Sequence, residues 1–253
     1  MAGKSLEKYR AKRNFDSTPE PTGDAARKKQ RRGDAPMFCV QKHLASHLHY
    51  DFRLEHKGVL LSWAVPKGPS LNPADRRLAM QVEDHPLAYG DFEGVIPEGY
   101  GAGIVMLWDK GTWMPEVDDV DAALEKGDLK FRLEGVKLKG SWVLVRTKPR
   151  GSSSQHASRN WLLIKHRDDW SGAIDVTAQA PDSIKSFGDF AAILAADEPA
   201  IWHSHKPART GVAGDMLQQV IEEAARRKAS AGEERSKAGK DKLSRRPVRR
   251  KKT

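Results

Sequence analysis

The fold is decided by residues 41–55, which read QKHLASHLHYDFRLE. From residue 48 to residue 55, apolar and polar side chains alternate strictly. A period of two predicts a β-strand with one buried face. The other face carries imidazole, carboxylate and guanidinium groups, where an ordinary surface strand has Thr, Ser or Lys: His47, His49, Asp51, Arg53 and Glu55. This stretch therefore predicts a functional site as well as a strand.

The polar face of this strand is suited to binding a metal ion. Residues two apart on a strand lie about 6.5–7 Å apart at Cα, so His49 and Asp51 can converge on one ion. His43 supplies a third ligand if the chain folds back. Such a ligand set leaves coordination positions open, as in catalytic rather than structural sites. Ligands without a thiolate favour Mn²⁺, with Zn²⁺, Fe²⁺ or another divalent metal as the alternative.

The composition limits the class of protein. The chain has 253 residues, is 38% hydrophobic and contains 7 Trp, which is enough for one large β domain or two small ones. Its single cysteine, Cys39, excludes an internal disulfide and a Cys-based zinc site, and favours a reducing cytoplasm. No apolar run approaches the length of a membrane span, and the N-terminus has no signal-peptide pattern.

The net charge of +10 is concentrated at the two ends of the chain. Residues 1–34 carry 10 Lys and Arg against 5 Asp and Glu, and residues 226–253 carry 13 against 3. The remainder carries 21 against 26. Basic ends of this kind are typically disordered and bind polyanions through counterion release, although a purely solubilising tail has the same composition.

Short alternating runs separated by Gly turns continue from residue 37 to residue 165. They predict a mainly β protein, a small closed or nearly closed β-barrel of about eight strands with minor helices. Lys110-Gly111 is interpreted as a turn between two of these strands. The predicted organisation is an N-terminal segment and basic linker (1–35), the barrel (36–172), a helical extension (173–225) and a basic disordered tail (226–253).

Other polar residues have both a functional and a structural interpretation. Lys67 and Arg77 are solvated surface charges unless they share a site with Arg53, in which case the set suits phosphate. His85 follows Glu83 and Asp84, and it could protonate a leaving group, bind phosphate or simply pair with a neighbouring carboxylate. His47-Leu48-His49 also resembles the start of a cupin metal site. The Gly-rich segment 99–103 precedes a strand rather than a helix, so it predicts a tight turn.

A set of motifs belongs together in one known family. The motifs are QKH and LHYDFRLE (41–43, 48–55), SWAVPKGPS (62–70), VEDHPL (82–87), DFEG and IPEG (91–94, 96–99) and WLLIKH (161–166), with YRAKRNF (9–15) and TPEP (18–21) upstream. Together they resemble the 3′-phosphoesterase domain of bacterial ligase D. The resemblance extends over about residues 5–170, apart from the basic linker.

The resemblance implies an activity and a set of residue roles. It implies a barrel enzyme for non-homologous end joining that uses Mn²⁺ to remove a 3′-terminal ribonucleoside and then the 3′-phosphate, leaving a 3′-OH. It also implies a bacterial or archaeal, nucleoid-associated enzyme acting on DNA 3′ ends. Ku and a DNA ligase are the expected partners. The implied metal ligands are His43, His49 and Asp51; the implied phosphate-site residues are Arg53, Lys67, Arg77 and His85, assisted by Tyr89 and Glu83; and Arg13 and Glu20 match N-terminal residues used in activity.

The sequence departs from the family pattern in three places. Asn14 stands where Asp is usual, the turn at residues 99–101 is one residue short, and His47 replaces a residue that is typically Arg or another polar one. No Lys-x-Asp-Gly adenylation motif is present, so we expect a stand-alone phosphoesterase or a fragment of a larger protein. Two alternatives remain: a non-catalytic DNA-end adaptor that recruits Ku or ligase, and a cupin-like oxygenase.

Overall fold

The computed structural model describes residues 6–12, 35–96, 102–147, 159–196 and 212–244, and within the last range side chains are described for residues 214–231. The predicted residues Arg13, Asn14 and Glu20, the turn at residues 99–101 and the basic linker lie outside these ranges. No helix among the described residues is long and apolar enough to cross a membrane.

An antiparallel sheet that closes on itself forms the body of the protein. Its strands are β1 Met37–Leu44, β2 Leu48–His56, β3 Val59–Val65, β4 Arg77–Gln81, β5 His85–Pro86, β6 Gly94–Ile96, β7 Gly103–Pro115, β8 Asp128–Gly135, β9 Lys139–Arg146 and β10 Asn160–Lys165. The strands follow the order β1-β2-β3-β4-β10-β9-β8-β7, and β7 pairs with β1 to close an eight-stranded barrel. Strands β5 and β6 add to β3 and β7. The predicted mainly β, closed barrel is confirmed.

The apolar face of β2 points into the barrel, as the alternation predicts. Tyr50, Phe52 and Leu54 are at most 4% exposed and belong to the main core cluster. The same cluster contains Trp63 and Trp161, whose ring centroids lie 5.9 Å apart at an interplanar angle of 79°. Aromatic side chains each bury about 150–250 Å² of surface, so tryptophans at this density supply much of the hydrophobic stabilisation.

The polar face of β2 is buried too, which the alternation alone does not predict. A second apolar cluster covers the outside of β1, β2 and β3, and it includes Leu6, Tyr9, Tyr89 and Phe92. Leu6 and Tyr9 belong to the short N-terminal segment around helix α1 (Glu7–Ala11), and Tyr89 lies on a 3₁₀ turn after β5. Polar groups on this face are therefore removed from water and depend on one another for hydrogen bonds.

The turn expected at Lys110-Gly111 is wrong, because β7 runs unbroken from Gly103 to Pro115. Gly111 lies opposite both Phe38 of β1 and Gly135 of β8. A Cβ on Gly111 would come within 2.0 Å of the Glu134 carbonyl oxygen. This glycine therefore permits a close approach between strands. Glycine inside a strand often marks such a close backbone approach rather than a turn.

The described helices lie outside the barrel. They are α1, α2 Val120–Lys126, α3 Val176–Gln179, α4 Phe190–Ala195 and α5 Val212–Ser244. Asp119 caps α2 by accepting from two backbone amides, and Gly127 ends it in the left-handed conformation. Helices α4 and α5 pack together, and Arg227 donates to both carboxylate oxygens of Asp189 at 2.8 and 2.9 Å.

Residues 226–244 differ from the expected disordered tail, because they continue α5 to Ser244. This stretch is rich in Ala, Glu, Lys and Arg, which have high helix propensity. Glu223 accepts from the Arg227 guanidinium one turn later, at 2.9 Å. Residues 245–253 lie outside the described part of the chain.

The segment between β10 and α5 docks onto the barrel through backbone groups. The amide of Ile184 donates to the Leu107 carbonyl at 2.9 Å. The indole of Trp108 and the ammonium of Lys137 both donate to the Ala180 carbonyl, at 2.7 and 2.9 Å. Residues 180–184 are therefore held against β7 and the turn between β8 and β9.

Candidate metal and phosphate site

The β1–β2 hairpin brings the three predicted metal ligands to one place. His43 lies directly opposite His49 in the pairing register, and Asp51 lies opposite Gln41. Directly opposed residues of an antiparallel pair share a face of the sheet. The short connection at residues 45–47 is the fold-back that the use of His43 requires.

The ligand atoms of His43, His49 and Asp51 all lie within 4.8 Å of one another. His49 Nε2 is 3.7 Å from Asp51 Oδ1, and His43 Nδ1 is 3.7 Å from Asp51 Oδ2. Two atoms that each lie about 2.1 Å from one ion can be at most about 4.2 Å apart, so both separations suit a shared ion.

The hydrogen bonds of the two imidazoles fit a metal site. His49 Nδ1 donates to the His47 carbonyl at 2.9 Å, which leaves Nε2 with a free lone pair facing Asp51. Fixing one ring nitrogen of a ligand in this way is usual in metal sites. His43 Nε2 is buried and has no hydrogen-bond partner among the described residues. The convergence of this buried imidazole with a second imidazole and a carboxylate, all within 4.8 Å of one another at their ligand atoms, is the observation that best supports a divalent ion here.

Arg53 lies beside this cluster and is 2% exposed. Its guanidinium donates to Asp51 Oδ2 at 3.0 Å, to Gln41 Oε1 at 2.8 Å and to Ser62 Oγ at 2.8 Å. Its guanidinium carbon also lies 4.9 Å from the centroid of the Tyr89 ring. These contacts use three of the five N–H groups of the guanidinium, and the remaining two suit an oxyanion.

The electrostatics keep the ligands in their metal-binding forms. Burial raises the pKa of Asp51, but Arg53 and the two imidazoles outweigh it and hold the pKa of that carboxyl well below its usual range. Burial lowers the pKa of His49, a change that the Asp51 charge only partly offsets. An ionised carboxylate and a neutral imidazole are the protonation states that bind a cation.

His85 joins the same network from β5. Its Nδ1 donates to the Glu83 carbonyl at 2.8 Å and lies 3.4 Å from Ser62 Oγ. The imidazole packs against two tyrosines, with ring centroids 5.0 Å away for Tyr9 and 4.8 Å for Tyr89. Ser62 therefore links His85 to Arg53.

Glu83 contacts the N-terminal segment. Its carboxylate accepts from Lys12 Nζ at 2.9 Å, and its side chain is 4% exposed. Since Tyr9 packs on His85, two contacts hold the segment that includes α1 against this side of the barrel. The predicted residues Arg13 and Glu20 lie outside the described ranges.

Lys67 and Arg77 line a cavity of about 380 Å³ at the ends of β3 and β4, together with Pro66, Asp75, Arg76 and Leu78. Arg77 donates to Asp75 there at 2.9 Å. The described contacts place these two predicted residues on a neighbouring cationic cavity rather than in the Arg53 network. His47, which the cupin alternative requires as a ligand, contacts Ser46 Oγ with its ring instead.

Three residues of this network are not predicted as site residues from the sequence: Gln41, Ser62 and Tyr9. Gln41 is fully buried, accepts from Arg53 and donates to the carbonyls of Tyr89 and Phe92 at 3.0 and 2.8 Å. The signal for Gln41 was its place in the His43 motif, two residues before the ligand on the same strand face. Ser62 and Tyr9 stand in the SWAVPKGPS and YRAKRNF motifs, but their contacts to Arg53 and His85 depend on which elements pack together.

Comparisons with known proteins identify the family. Residues 41–146 match the family model described as the DNA ligase D 3′-phosphoesterase domain. The chain is 49% identical over 219 residues to the multifunctional non-homologous end joining protein LigD of Pseudomonas aeruginosa, a match that covers 84% of this chain and 24% of that protein.

Two mycobacterial relatives match less of the chain. The Mycobacterium tuberculosis LigD is 46% identical over 143 residues, covering 56% of this chain and 18% of the relative. The Mycolicibacterium smegmatis LigD is 38% identical over 169 residues, covering 64% and 21%. The chain thus spans about a quarter or less of the length of these relatives. Because of these matches, and in agreement with the barrel and the convergence of His43, His49 and Asp51, the chain belongs to the family of ligase D 3′-phosphoesterase domains.

Proposed function

We propose that this chain is a metal-dependent phosphoesterase that heals DNA 3′ ends, with His43, His49 and Asp51 as its metal ligands. It would remove a 3′-terminal ribonucleoside and then the remaining 3′-phosphate, leaving a 3′-OH for end joining. The convergence of these three side chains beside the guanidinium of Arg53 is the observation that carries the proposal. The end-joining role of the LigD relatives supports DNA ends as the substrate.

A bound divalent ion would supply a positive charge for the phosphate oxygens and a more acidic water. Asp51 stays ionised for this purpose because Arg53 lowers its pKa. Arg53 is pre-oriented by Gln41 and Ser62, so the two N–H groups that no described residue accepts from would bind an equatorial phosphate oxygen without reorganisation. Lys67 and Arg77 would bind a neighbouring phosphate from the adjoining cavity.

His85 is the proposed proton donor. Its Nδ1 donates to the Glu83 carbonyl and lies 3.4 Å from Ser62 Oγ, which holds the imidazole beside Arg53. In the first reaction water attacks phosphorus, the bond from phosphorus to O5′ of the terminal ribonucleoside breaks, and the proton goes to that oxygen. In the second reaction the bond to O3′ breaks, and O3′ takes the proton. Tyr89 would position both His85 and Arg53 by packing on them.

Mn²⁺ is the proposed metal, since imidazole and carboxylate ligands without thiolate suit it, and Zn²⁺ is the main alternative. Arg13 and Glu20 are proposed to contact substrate, because they follow the segment that packs on His85. Ku and a DNA ligase are the proposed partners.

A primer–template with one 3′-terminal ribonucleotide tests the proposal. With Mn²⁺ the wild-type protein should first release a ribonucleoside, leaving a 3′-phosphate, and then inorganic phosphate, leaving a 3′-OH. His49→Ala and Asp51→Ala should abolish both steps, and the control Asp121→Ala, at an exposed ion pair with Lys57, should not. Tight binding of the primer without turnover under any divalent metal would favour the non-catalytic adaptor and defeat the proposal.

A further inference from the structure

A strip of apolar side chains faces outward beside the metal cluster. On β4, Ala79 is fully buried in the core, so its neighbours Leu78 and Met80 point to the outside, where they are 41% and 38% exposed. The facing residues of the flanking strands are Ala64 on β3 and Leu162 on β10, both partly exposed. We call Ala64, Leu78, Met80 and Leu162 the outer strip.

The outer strip continues a row of the sheet that begins at the metal cluster. Asp51 lies opposite Ala64, and Ala64 lies opposite Met80. Since neighbouring strands are about 4.8 Å apart, Met80 lies about 10 Å from Asp51 along this row. The next residue of the row is Asn160, a polar side chain opposite Met80. If a phosphate is bound at the metal cluster and the attached ribose and base extend along this row, they lie across the outer strip.

The outer strip also borders the cationic cavity. Leu78 is one of the residues lining the 380 Å³ cavity that contains Lys67 and Arg77. The surface therefore presents a candidate phosphate site at Asp51 and Arg53, an apolar strip, and a second cationic site. Proteins that bind single nucleic acid strands combine a cationic groove with side chains, usually aromatic, that contact the faces of the bases without regard to sequence. Here the aliphatic side chains of the outer strip would contact the base face.

The small size of the strip argues against a protein partner. A stable interface buries about 800 Å² on each partner, which four side chains, one of them alanine, cannot supply. A flat base is matched to such a narrow surface, and the flexible thioether of Met80 adapts to bases of different shape.

We propose that the outer strip binds the ribose and base of the 3′-terminal nucleotide while its phosphate lies at the metal cluster. This inference rests on the proposed phosphoesterase function. Met80 and Leu78 are then substrate-binding residues that do not discriminate between bases, because they contact the face of the base rather than its hydrogen-bonding edge.

Comparing wild-type and variant proteins on two primers, one with and one without the terminal base, tests this contact. One primer ends in a ribonucleotide with adenine, and a second ends in the same ribose phosphate without a base. For the wild-type protein the primer lacking the base should have a KM higher by about five- to tenfold, the factor expected when apolar surface equivalent to about one or two CH₂ groups is no longer buried. Met80→Ser should raise the KM of the adenine primer by that factor and leave the KM of the second primer unchanged.

Matched variants separate the contact from general damage. Met80→Leu keeps an apolar surface and should retain the wild-type KM. Met114→Ser removes a methionine that is 44% exposed on β7, and it should change neither KM. Equal effects of Met80→Ser on both primers, or none on either, would overturn the outer strip as the nucleoside site while leaving the phosphoesterase function intact. A wild-type protein that processes neither primer would overturn the phosphoesterase function itself, and the strip's role with it.

Discussion

Arg53 donates to Asp51 Oδ2 at 3.0 Å, so a buried guanidinium and a candidate metal ligand share one carboxylate. The two residues are 2% and 8% exposed, so removing either one leaves the other buried without its charge partner. The pair therefore couples the stability of the β1–β2 hairpin to the charge state of the site.

Asp51→Asn should damage both stability and metal binding. It removes the charge partner of a buried Arg53, and breaking a buried pair by removing one partner costs about 3–5 kcal/mol. Urea unfolding of the metal-free protein measures this loss, and calorimetry with Mn²⁺ measures the metal affinity. Asp121→Asn, at an exposed ion pair, is the control and should change neither. Wild-type Mn²⁺ affinity in Asp51→Asn would show that Asp51 is not a ligand.

Gln41→Leu should reduce turnover without weakening metal binding. Arg53 loses one of its three side-chain contacts, and the carbonyls of Tyr89 and Phe92 lose their buried donor. Residues that orient an active group in this way are worth about 10–100-fold in activity. The expected result is a kcat lower by that factor with an unchanged Kd for Mn²⁺. Gln81→Leu, which removes a contact to Trp161 instead, should lower stability but leave kcat intact.

Acid should destabilise the metal-free protein in two stages. The pKa of His49 is lowered from its ordinary value of 6.5 by burial, so the unfolded chain takes up that proton first and stability falls as the pH drops below about 6.5. The pKa of Asp51 lies below 3.8, so its contribution is present above about pH 4 and is lost as the pH falls further. Melting curves in EDTA from pH 7.5 to pH 3 measure both stages.

Two variants test whether His49 and Asp51 cause the two stages of acid destabilisation. His49→Gln should remove the first stage, and Asp51→Asn should flatten the second. If instead the Tm of the wild-type protein and of His49→Gln fell by the same amount between pH 6.5 and pH 5, a lowered pKa of His49 would be contradicted.

Lys137→Met should loosen the segment that follows β10. Lys137 donates to the Ala180 carbonyl at 2.9 Å and lies 4.6 Å from the centroid of the Trp108 ring. Without it, we expect faster hydrogen exchange in residues 176–195, including the amide of Ile184, and unchanged exchange in β2. Lys130→Met, at an exposed position on β8, is the matched control. Uniform exchange changes across the barrel would point to global destabilisation instead.

The basic end of the chain should make DNA binding depend on salt. Because Arg227 binds Asp189, a deletion that tests the tail alone has to begin after it, and residues 232–253 carry 10 Lys and Arg against 3 Asp and Glu. Each phosphate neutralised contributes about −0.9 to the slope of log K against log salt on duplex DNA. Deleting residues 232–253 should flatten this slope. A neutral Gly/Ser segment of equal length is the control, and an unchanged slope would exclude the tail as an electrostatic anchor.

Particular residues show how much of the candidate site can be predicted from the sequence. The alternation around Asp51 predicts the strand and its two faces, and the HxD spacing predicts that His49 and Asp51 lie together, because both follow from local backbone geometry. Arg77 shows the limit, since its position depends on β4 lying between β3 and β10, a pairing between residues far apart in the chain. Ser62 was missed for the same reason, as its contacts to Arg53 and His85 cross strands.

The sequence by itself determined the mainly β barrel, the segment that carries the candidate ligands and the family, because strand periodicity and linear motifs are local properties of the chain. Only the tertiary structure decided that the polar face of β2 is covered by Tyr9 and Tyr89, that Gly111 lies within a continuous strand, and that Arg53 is held by Gln41 and Ser62. These features depend on which elements pack together, since burial and hydrogen-bond satisfaction are settled between distant parts of the chain.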